Sequence, residues 1–347
     1  MKCNRVRIFL FAACTMLAFG CGDSGNSGNA KEQPGKTNEQ PGDIVSVQNR
    51  TVSGVSQKGP FVTGSTVTVQ ELNGESLLQT GISFKGKISN DKGEFKVASI
   101  NLASQYAFLE VNGYYRNEVT GQDSASPIIM NALADISDRE NVNINLLTHL
   151  ETDRVMHLVT VDGKSFAEAK EQARKELLGY FGIDGNFGAA EDMSIFGQSD
   201  DSAALLAISI IVQGDLRESQ FTERLARIAG DIADGTIDKE TVAWIRDRFH
   251  QMASHPLVAQ AFAPTAKVKT ECEVLYQGQV KRLDRYAELP DAIYLLDYKT
   301  GQHNDKHNEQ VRLYAEALRE MTDKEIRSFL VYLNETGVEV EPVSDRR

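Results

Sequence analysis

The sequence predicts an α+β chain of several domains, in which a small β-sandwich and a helical bundle precede a compact domain with the element order αβββαββ. Three observations support this class. Short alternating runs broken by glycine fill the region 51–125, apolar residues recur at helical spacing over 126–255, and strand-like runs occupy 265–347. With 347 residues, 41% of them hydrophobic, the chain is long enough for about two or three such domains.

The charge and cysteine content exclude several classes of protein. The chain has 37 Lys and Arg against 49 Asp and Glu, a formal net charge of −12. This balance argues against a protein that coats nucleic acid through bulk charge. Three of the four cysteines lie in the first 21 residues, which is too uneven a distribution for a disulfide framework.

The first twenty residues have the pattern of a signal peptide. Three basic residues within the first seven positions precede the apolar run Ile8–Phe19. Twelve helical residues extend about 18 Å, whereas a membrane core is about 30 Å thick. The run therefore predicts a cleaved signal over residues 1–20, and it does not predict a transmembrane helix.

The segment Leu17–Cys21 resembles the lipobox of bacterial lipoproteins, with the small Gly20 just before Cys21. This resemblance implies that Cys21 is lipidated and holds the protein on a bacterial membrane in the cell envelope, in either leaflet. Residues 22–43 contain no Val, Ile, Leu, Met or aromatic residue, so they cannot be part of a core. We therefore predict a flexible tether over residues 21–50.

The region 51–125 predicts strands and turns. Val67 and Val69 alternate with polar residues, and Asn112-Gly113 stands between two apolar runs, which predicts a tight hairpin. Three segments here resemble predicted lipoproteins of fibre-degrading bacteria, whose first folded module is a carboxypeptidase-regulatory-like β-sandwich. The segments that carry the resemblance are Ser56–Phe61, Asp91–Phe95 and Val111–Tyr115.

Beyond about Ser126 we expect helices. Ser165 and Glu168 form a capping-box pattern before an amphipathic stretch. Ala203–Val212 is apolar on all sides, which predicts a buried helix. These patterns indicate a helical domain over residues 126–255.

The last eighty residues return to strands around one amphipathic helix. The third strand carries Asp297 and Lys299 on one face, because residues i and i+2 of a strand point to the same side. Asp284 on the second strand can lie beside them. Asp284, Asp297 and the backbone carbonyl of Tyr298 suit Mg²⁺, which prefers oxygen ligands and retains several waters. The strands expected are Val268–Tyr276, Gln279–Leu289, Ala292–Asp297, Ser328–Leu333 and Val338–Val343.

This region resembles the PD-(D/E)XK nuclease superfamily, particularly the RecB-type nuclease domain of helicase–nucleases. The resemblance implies a restriction-endonuclease-like domain over 265–347 that hydrolyses DNA with Mg²⁺ or Mn²⁺. Because Cys272 would be the one free cysteine left after signal cleavage and lipidation of Cys21, we expect no iron–sulfur cluster. The matching residues are Asp284 and Asp297 as metal ligands, Lys299 as the catalytic lysine, and Glu271, Glu273, Gln310 and Tyr314 as supporting residues.

Three interpretations of the whole chain remain open. It is an anchored nuclease, a non-enzymatic surface lipoprotein, or a fusion with a helicase–nuclease fragment. In the second case the nuclease-like piece is inactive, and the β-sandwich binds an envelope or glycan partner. In the third, the change of pattern between His255 and Lys267 marks the junction. Lys267–Arg347 has 13 basic against 16 acidic residues, so DNA must be held by local charges or by a partner.

Overall fold

A computed structural model describes residues 44–344. The predicted signal peptide, Cys21 and the tether up to residue 43 lie outside this range. Residues 47–50, which we expected in the tether, belong to the first strand. None of the helices within 44–344 is long and apolar enough to cross a membrane.

Seven strands form two sheets in the N-terminal half. They are β1 (Val47–Gln57), β2 (Thr66–Leu72), β3 (Gln79–Lys87), β4 (Glu94–Leu102), β5 (Tyr106–Gly113), β6 (Ile128–Asp135) and β7 (Ile144–Asn145). One sheet has the order β4-β1-β7 and the other has the order β3-β2-β5-β6. Inward-facing residues of both sheets, such as Val52 and Val69, share one hydrophobic core.

The β region extends beyond residue 125, which corrects the expectation of helices from about Ser126. Ile128, Met130 and Ala132 alternate inward along β6, which pairs with β5 over its whole length. The first helix begins only at Leu146. The period-two pattern was present in the sequence, but it follows an irregular stretch rich in turns.

The hairpin expected at Asn112-Gly113 is wrong. Both residues continue β5, where Asn112 pairs with Thr66 on one side and Ile129 on the other. Residues 114–125 then form an irregular segment with isolated bridges, Phe61 to Tyr115 and Arg116 to Asp123.

Five helices follow: α1 (Leu146–Thr160), α2 (Phe166–Tyr180), α3 (Asp200–Gln213), α4 (Glu218–Ala233) and α5 (Lys239–Ser254). The capping box predicted before α2 is present, since the Ser165 hydroxyl accepts from the Glu168 amide and the Glu168 carboxylate accepts from the Ser165 amide. Helix α3 is buried on nearly all sides, as its composition predicts.

The C-terminal region forms a five-stranded mixed sheet with one crossover helix. Its elements are β8 (Lys267–Tyr276), β9 (Gln279–Glu288), β10 (Ala292–Lys299), α6 (Asp305–Arg319), β11 (Glu325–Asn334) and β12 (Gly337–Pro342). The sheet order is β12-β11-β10-β9-β8, with β10 and β11 parallel and the other pairs antiparallel. Preceded by α5, the order αβββαββ is confirmed.

The N-terminal and C-terminal parts share the same core. One face of the C-terminal sheet, including Leu296 and Val331, joins a cluster that continues through α3–α5 into the N-terminal sheets. The other face packs on α6 through residues such as Leu295 and Val311. The C-terminal sheet is therefore enclosed on both sides, with β10 fully buried at its centre.

Candidate active site

Asp297 and Lys299 lie on the same face at the end of β10, as the alternation of a strand predicts. Their exposed fractions are only 1% and 4%. The Lys299 ammonium forms an ion pair with Asp297 Oδ2. Burial opposes the charged amine, but Asp297 and Asp284 together raise the pKa of Lys299 above its ordinary value. The lysine is therefore positively charged inside a buried site.

Asp284 approaches this pair from the neighbouring strand. The β9–β10 ladder ends at the pair of Leu296 and Arg285, and beyond it Asp284 Oδ2 accepts a 2.7 Å hydrogen bond from the Tyr298 amide. The amide and carbonyl of one strand residue point to the same edge of the strand. The Tyr298 carbonyl therefore lies on the Asp284 side, where the sequence predicts a metal ligand.

Glu271, on β8, is a third carboxylate near the two aspartates. Its backbone has φ +49°, and the pair of Glu271 and Asp284 is missing from an otherwise continuous β8–β9 ladder. The side chain is 5% exposed and its Oε1 has no hydrogen-bond partner. This local distortion directs a buried carboxylate toward the site.

Neighbouring carboxylates disfavour the ionisation of Asp284 and of Glu271. Burial raises the pKa of Asp284 well above its ordinary range, and the nearby Asp297 and Glu271 raise it further. Burial likewise raises the pKa of Asp297, although Lys299 opposes this. A positive ion near these oxygens would reverse both effects.

The donor set fits a divalent cation. Asp297 Oδ1 and Glu271 Oε1 are buried without hydrogen-bond partners, so hard oxygen ligands are present and uncommitted. Among residues 44–344, no three His, Cys, Asp or Glu side chains converge as a complete set of ligands. Asp284, Asp297 and the Tyr298 carbonyl would therefore hold Mg²⁺ or Mn²⁺ together with water, as is usual for Mg²⁺.

Glu271 also gives the metal-free protein a pH-dependent stability. Burial raises its pKa to about 8, helped by Glu118 and Asp297 and opposed by Arg282 and Arg116. Because the folded pKa exceeds the ordinary value of 4.5, the stabilising contribution of this group is complete below pH 4.5 and is lost as the pH rises through 8.

We therefore expect the free energy of unfolding in EDTA to carry a slope from Glu271 of about −1.4 kcal/mol per pH unit between pH 5 and 8. The Glu271→Gln variant should lack this part of the slope. Urea unfolding of the two proteins across that range measures the difference. Parallel pH profiles of the variant and the wild type would contradict the assignment.

Two of the supporting residues on α6 reach the site. Gln310 Nε2 donates a 2.6 Å hydrogen bond to the Tyr314 hydroxyl. Burial raises the pKa of Tyr314, and the nearby Asp297 and Asp284 raise it further. The Gln-x-x-x-Tyr pair thus lies within electrostatic reach of the carboxylates.

Glu273 is not brought to the carboxylates. Its side chain pairs with Arg282 at 3.1 Å and with Lys92 of the N-terminal part at 3.3 Å. Together with Lys92 and Glu271 it lines a cavity of about 250 Å³. Its place is therefore in the contact between the two parts of the chain.

Two further residues at the site carried no functional assignment from the sequence. His307 Nδ1 is 3.0 Å from the Tyr332 hydroxyl, and burial and the nearby Lys299 lower its pKa. Its position seven residues before Tyr314 on one helix face was a usable signal. Arg116 lies within electrostatic reach of Tyr314 and Glu271, and no sequence spacing indicates this.

Comparison with known proteins agrees with this geometry. Residues 202–346 match the family model of the PD-(D/E)XK nuclease superfamily, so this part of the chain is similar to nucleases of that superfamily. The matched range includes most of α3, α4 and α5 as well as the C-terminal sheet, and residues 255–267 lie within it.

No curated protein matches the sequence. A similar solved structure, described as "Crystal structure of SSO0001", is 15% identical to this chain, with a TM-score of 0.19. The alignment covers 38% of this chain and 60% of that one.

Proposed function

We propose that the C-terminal domain hydrolyses phosphodiester bonds of DNA with the help of Mg²⁺ or Mn²⁺. The observation that carries this proposal is the buried group of Asp284, Asp297 and Lys299, in which two carboxylates with raised pKa values lie beside a charged lysine. The superfamily match over residues 202–346 supports nuclease chemistry for this group.

Asp284, Asp297 and the Tyr298 carbonyl are the proposed metal ligands. The bound cation would supply a polarised phosphoryl oxygen and an activated water. Attack of a water on phosphorus would form one P–O bond and break the bond to the departing oxygen, which would take up a proton.

The residues around the ligands have separate roles in this proposal. Lys299 orients the water or stabilises the negative charge that develops on the phosphate. Gln310 and Tyr314 hold one wall of the site and present hydroxyl and amide groups toward the nucleic acid. Glu271 Oε1, which is buried without a hydrogen-bond partner, would accept a hydrogen bond from a water in the site.

The test uses the full-length chain, purified in mild detergent, and fluorescently labelled DNA. Cleavage is expected in Mg²⁺ and in Mn²⁺, and none in EDTA. Asp284→Asn, purified identically, should be inactive in both metals. Absence of cleavage by the wild type with either metal, or equal cleavage by Asp284→Asn, would overturn the proposal.

We further propose that the protein is a lipoprotein of the bacterial envelope, anchored through Cys21. The basic start, the apolar run and Gly20-Cys21 support this proposal. Replacing Cys21 with Ser should abolish labelling by an alkyne fatty acid and release the protein from the membrane fraction. Cys3→Ser should be labelled like the wild type. Equal labelling of Cys21→Ser would rule out the anchor.

A further inference from the structure

His303 is an exposed side chain in the short loop between β10 and α6, and one face of its ring is already stacked. The imidazole lies on the Tyr332 ring, with the centroids 4.1 Å apart and the planes 18° from parallel. Tyr332 itself is fully buried, whereas the His303 side chain is 45% exposed. Since Tyr332 covers one face, the opposite face of the imidazole is the surface that remains open to a ligand.

Two carboxylates of β12 fix the orientation of this ring. His303 Nε2 is 3.2 Å from Glu339 Oε2, and His303 Nδ1 is 2.8 Å from Glu341 Oε1. Carboxylates only accept hydrogen bonds, so these contacts favour the imidazolium, which carries a proton on each nitrogen. Burial opposes this charge, but the two glutamates raise the pKa of His303 above its ordinary value. The open face therefore belongs to a ring that is held in place and readily protonated.

The stacked rings lie beside the proposed catalytic pair, on the same face of the sheet. Tyr332 is the partner of Lys299 in the parallel β10–β11 register, and Glu339 is the partner of Tyr332 on β12. Paired residues of adjacent strands point to the same face, and the strands lie about 4.8 Å apart. Lys299, Tyr332 and Glu339 thus form one row across three strands, which spans about 10 Å. His303 contacts two members of this row, so a group on its open face lies close to Lys299.

From this placement we infer that His303 is a stacking platform for one base of the DNA, next to the phosphate that is cleaved. The inference rests on the proposed nuclease function. Aromatic side chains, including histidine, bind bases that are splayed out from their neighbours. Stacking needs no bulk positive charge, which this acidic region lacks. A base inside an intact duplex has no free face, so the substrate class that fits is a single strand or an unpaired end.

The test measures, by fluorescence anisotropy, the binding of a labelled single-stranded oligonucleotide to the full-length chain in Ca²⁺. His303→Ala is expected to raise the Kd about tenfold, because stacking on one aromatic side chain contributes roughly this much per base. A blunt duplex of the same sequence should bind His303→Ala and the wild type equally. The matched control, His157→Ala on α1, should bind the single strand like the wild type.

Two further substitutions separate stacking from a purely structural role of the glutamate contacts. His303→Phe keeps a ring on Tyr332 but cannot donate to the glutamates, and it should retain most of the affinity. His303→Gln keeps a donor but has no ring, and it should bind the single strand as weakly as His303→Ala. The reverse order of affinities would mean that the histidine only holds the loop, and it would overturn the platform.

The outcomes also separate this inference from the proposed function. Suppose that the wild type cleaves DNA in Mg²⁺ and that His303→Ala and the wild type bind the single strand with equal Kd values. This result would overturn the platform and leave the nuclease proposal intact. An equal loss of affinity for the single strand and the blunt duplex would also overturn the platform. Absence of both binding and cleavage in the wild type would overturn both proposals.

Discussion

Replacing Asp297 with Asn is expected to lower the rate of metal-dependent DNA cleavage by more than about 100-fold, since even partners outside the ligand shell of a metal cost about 10–100-fold. Asp297 is 1% exposed, its Oδ1 has no hydrogen-bond partner, and Oδ2 pairs with Lys299. The substitution removes a ligand charge and also the partner that orients the lysine. The measurement is the single-turnover cleavage rate at saturating DNA.

The matched control for this prediction is Asp291→Asn, the same substitution in the exposed turn before β10. It should cleave DNA at the wild-type rate. Asp297→Asn leaves Lys299 close to Asp284, which can take over part of the pairing, so thermal unfolding should show a folded protein. A folded Asp297→Asn protein with wild-type activity would contradict the assignment.

Replacing Lys58 with Met is expected to lower the free energy of unfolding by about 3–5 kcal/mol, because it leaves a buried carboxylate without its partner. Lys58 forms an ion pair with Glu118, and their side chains are 0% and 1% exposed. Ser209 Oγ of α3 lies 2.8 Å from the Lys58 carbonyl and 2.5 Å from Glu118 Oε1. The pair thus joins the N-terminal part to α3, which lies in the region that matches the nuclease superfamily. Urea unfolding measures the contribution of the pair to stability.

Two comparisons make this stability prediction specific. Lys92→Met breaks the ion pair to Glu273, which also joins the two parts but is 47% and 35% exposed, so its cost should stay below about 1 kcal/mol. Combining Lys58→Met with Glu118→Leu removes both buried charges and should recover most of the loss. If Lys58→Met lowers the free energy of unfolding by no more than Lys92→Met does, the buried pair does not stabilise the contact between the two parts.

The C-terminal domain was largely predictable because its strands follow simple local rules. The alternation of strand residues predicts that Asp297 and Lys299 share one face, and the structure pairs them. Asp284 was predicted on the second strand beside them, and there it accepts from the Tyr298 amide. The helix bearing Gln310 and Tyr314 follows the spacing i and i+4, which fixes their contact in any helix. Such features depend on neighbours in sequence, so the pattern was sufficient.

Other features depend on distant partners and were missed for that reason. Asn112-Gly113 has the composition of a turn, but β5 continues through it because it pairs with both β2 and β6. Glu271 and Glu273 looked equivalent on one strand and both line the same cavity, yet Glu271, which has a positive φ, is the one that lies within electrostatic reach of Asp284. Non-glycine residues adopt this conformation rarely, and no local pattern indicates it.

The contact of Lys58 with Ser209 of α3 likewise required the structure. The superfamily match also bears on the third interpretation of the chain, in which a junction lies between His255 and Lys267. The match runs through this stretch and starts in α3, which carries Ser209. The change of pattern there therefore lies inside one matched region.

The central claim is that Asp284 and Asp297 form a site for a catalytic divalent cation. The most direct test is to measure Mn²⁺ binding to the full-length chain by electron paramagnetic resonance. We predict that the wild type and Asp291→Asn bind one more Mn²⁺ per chain than a variant carrying both Asp284→Asn and Asp297→Asn. Equal Mn²⁺ binding by all three proteins would contradict the claim.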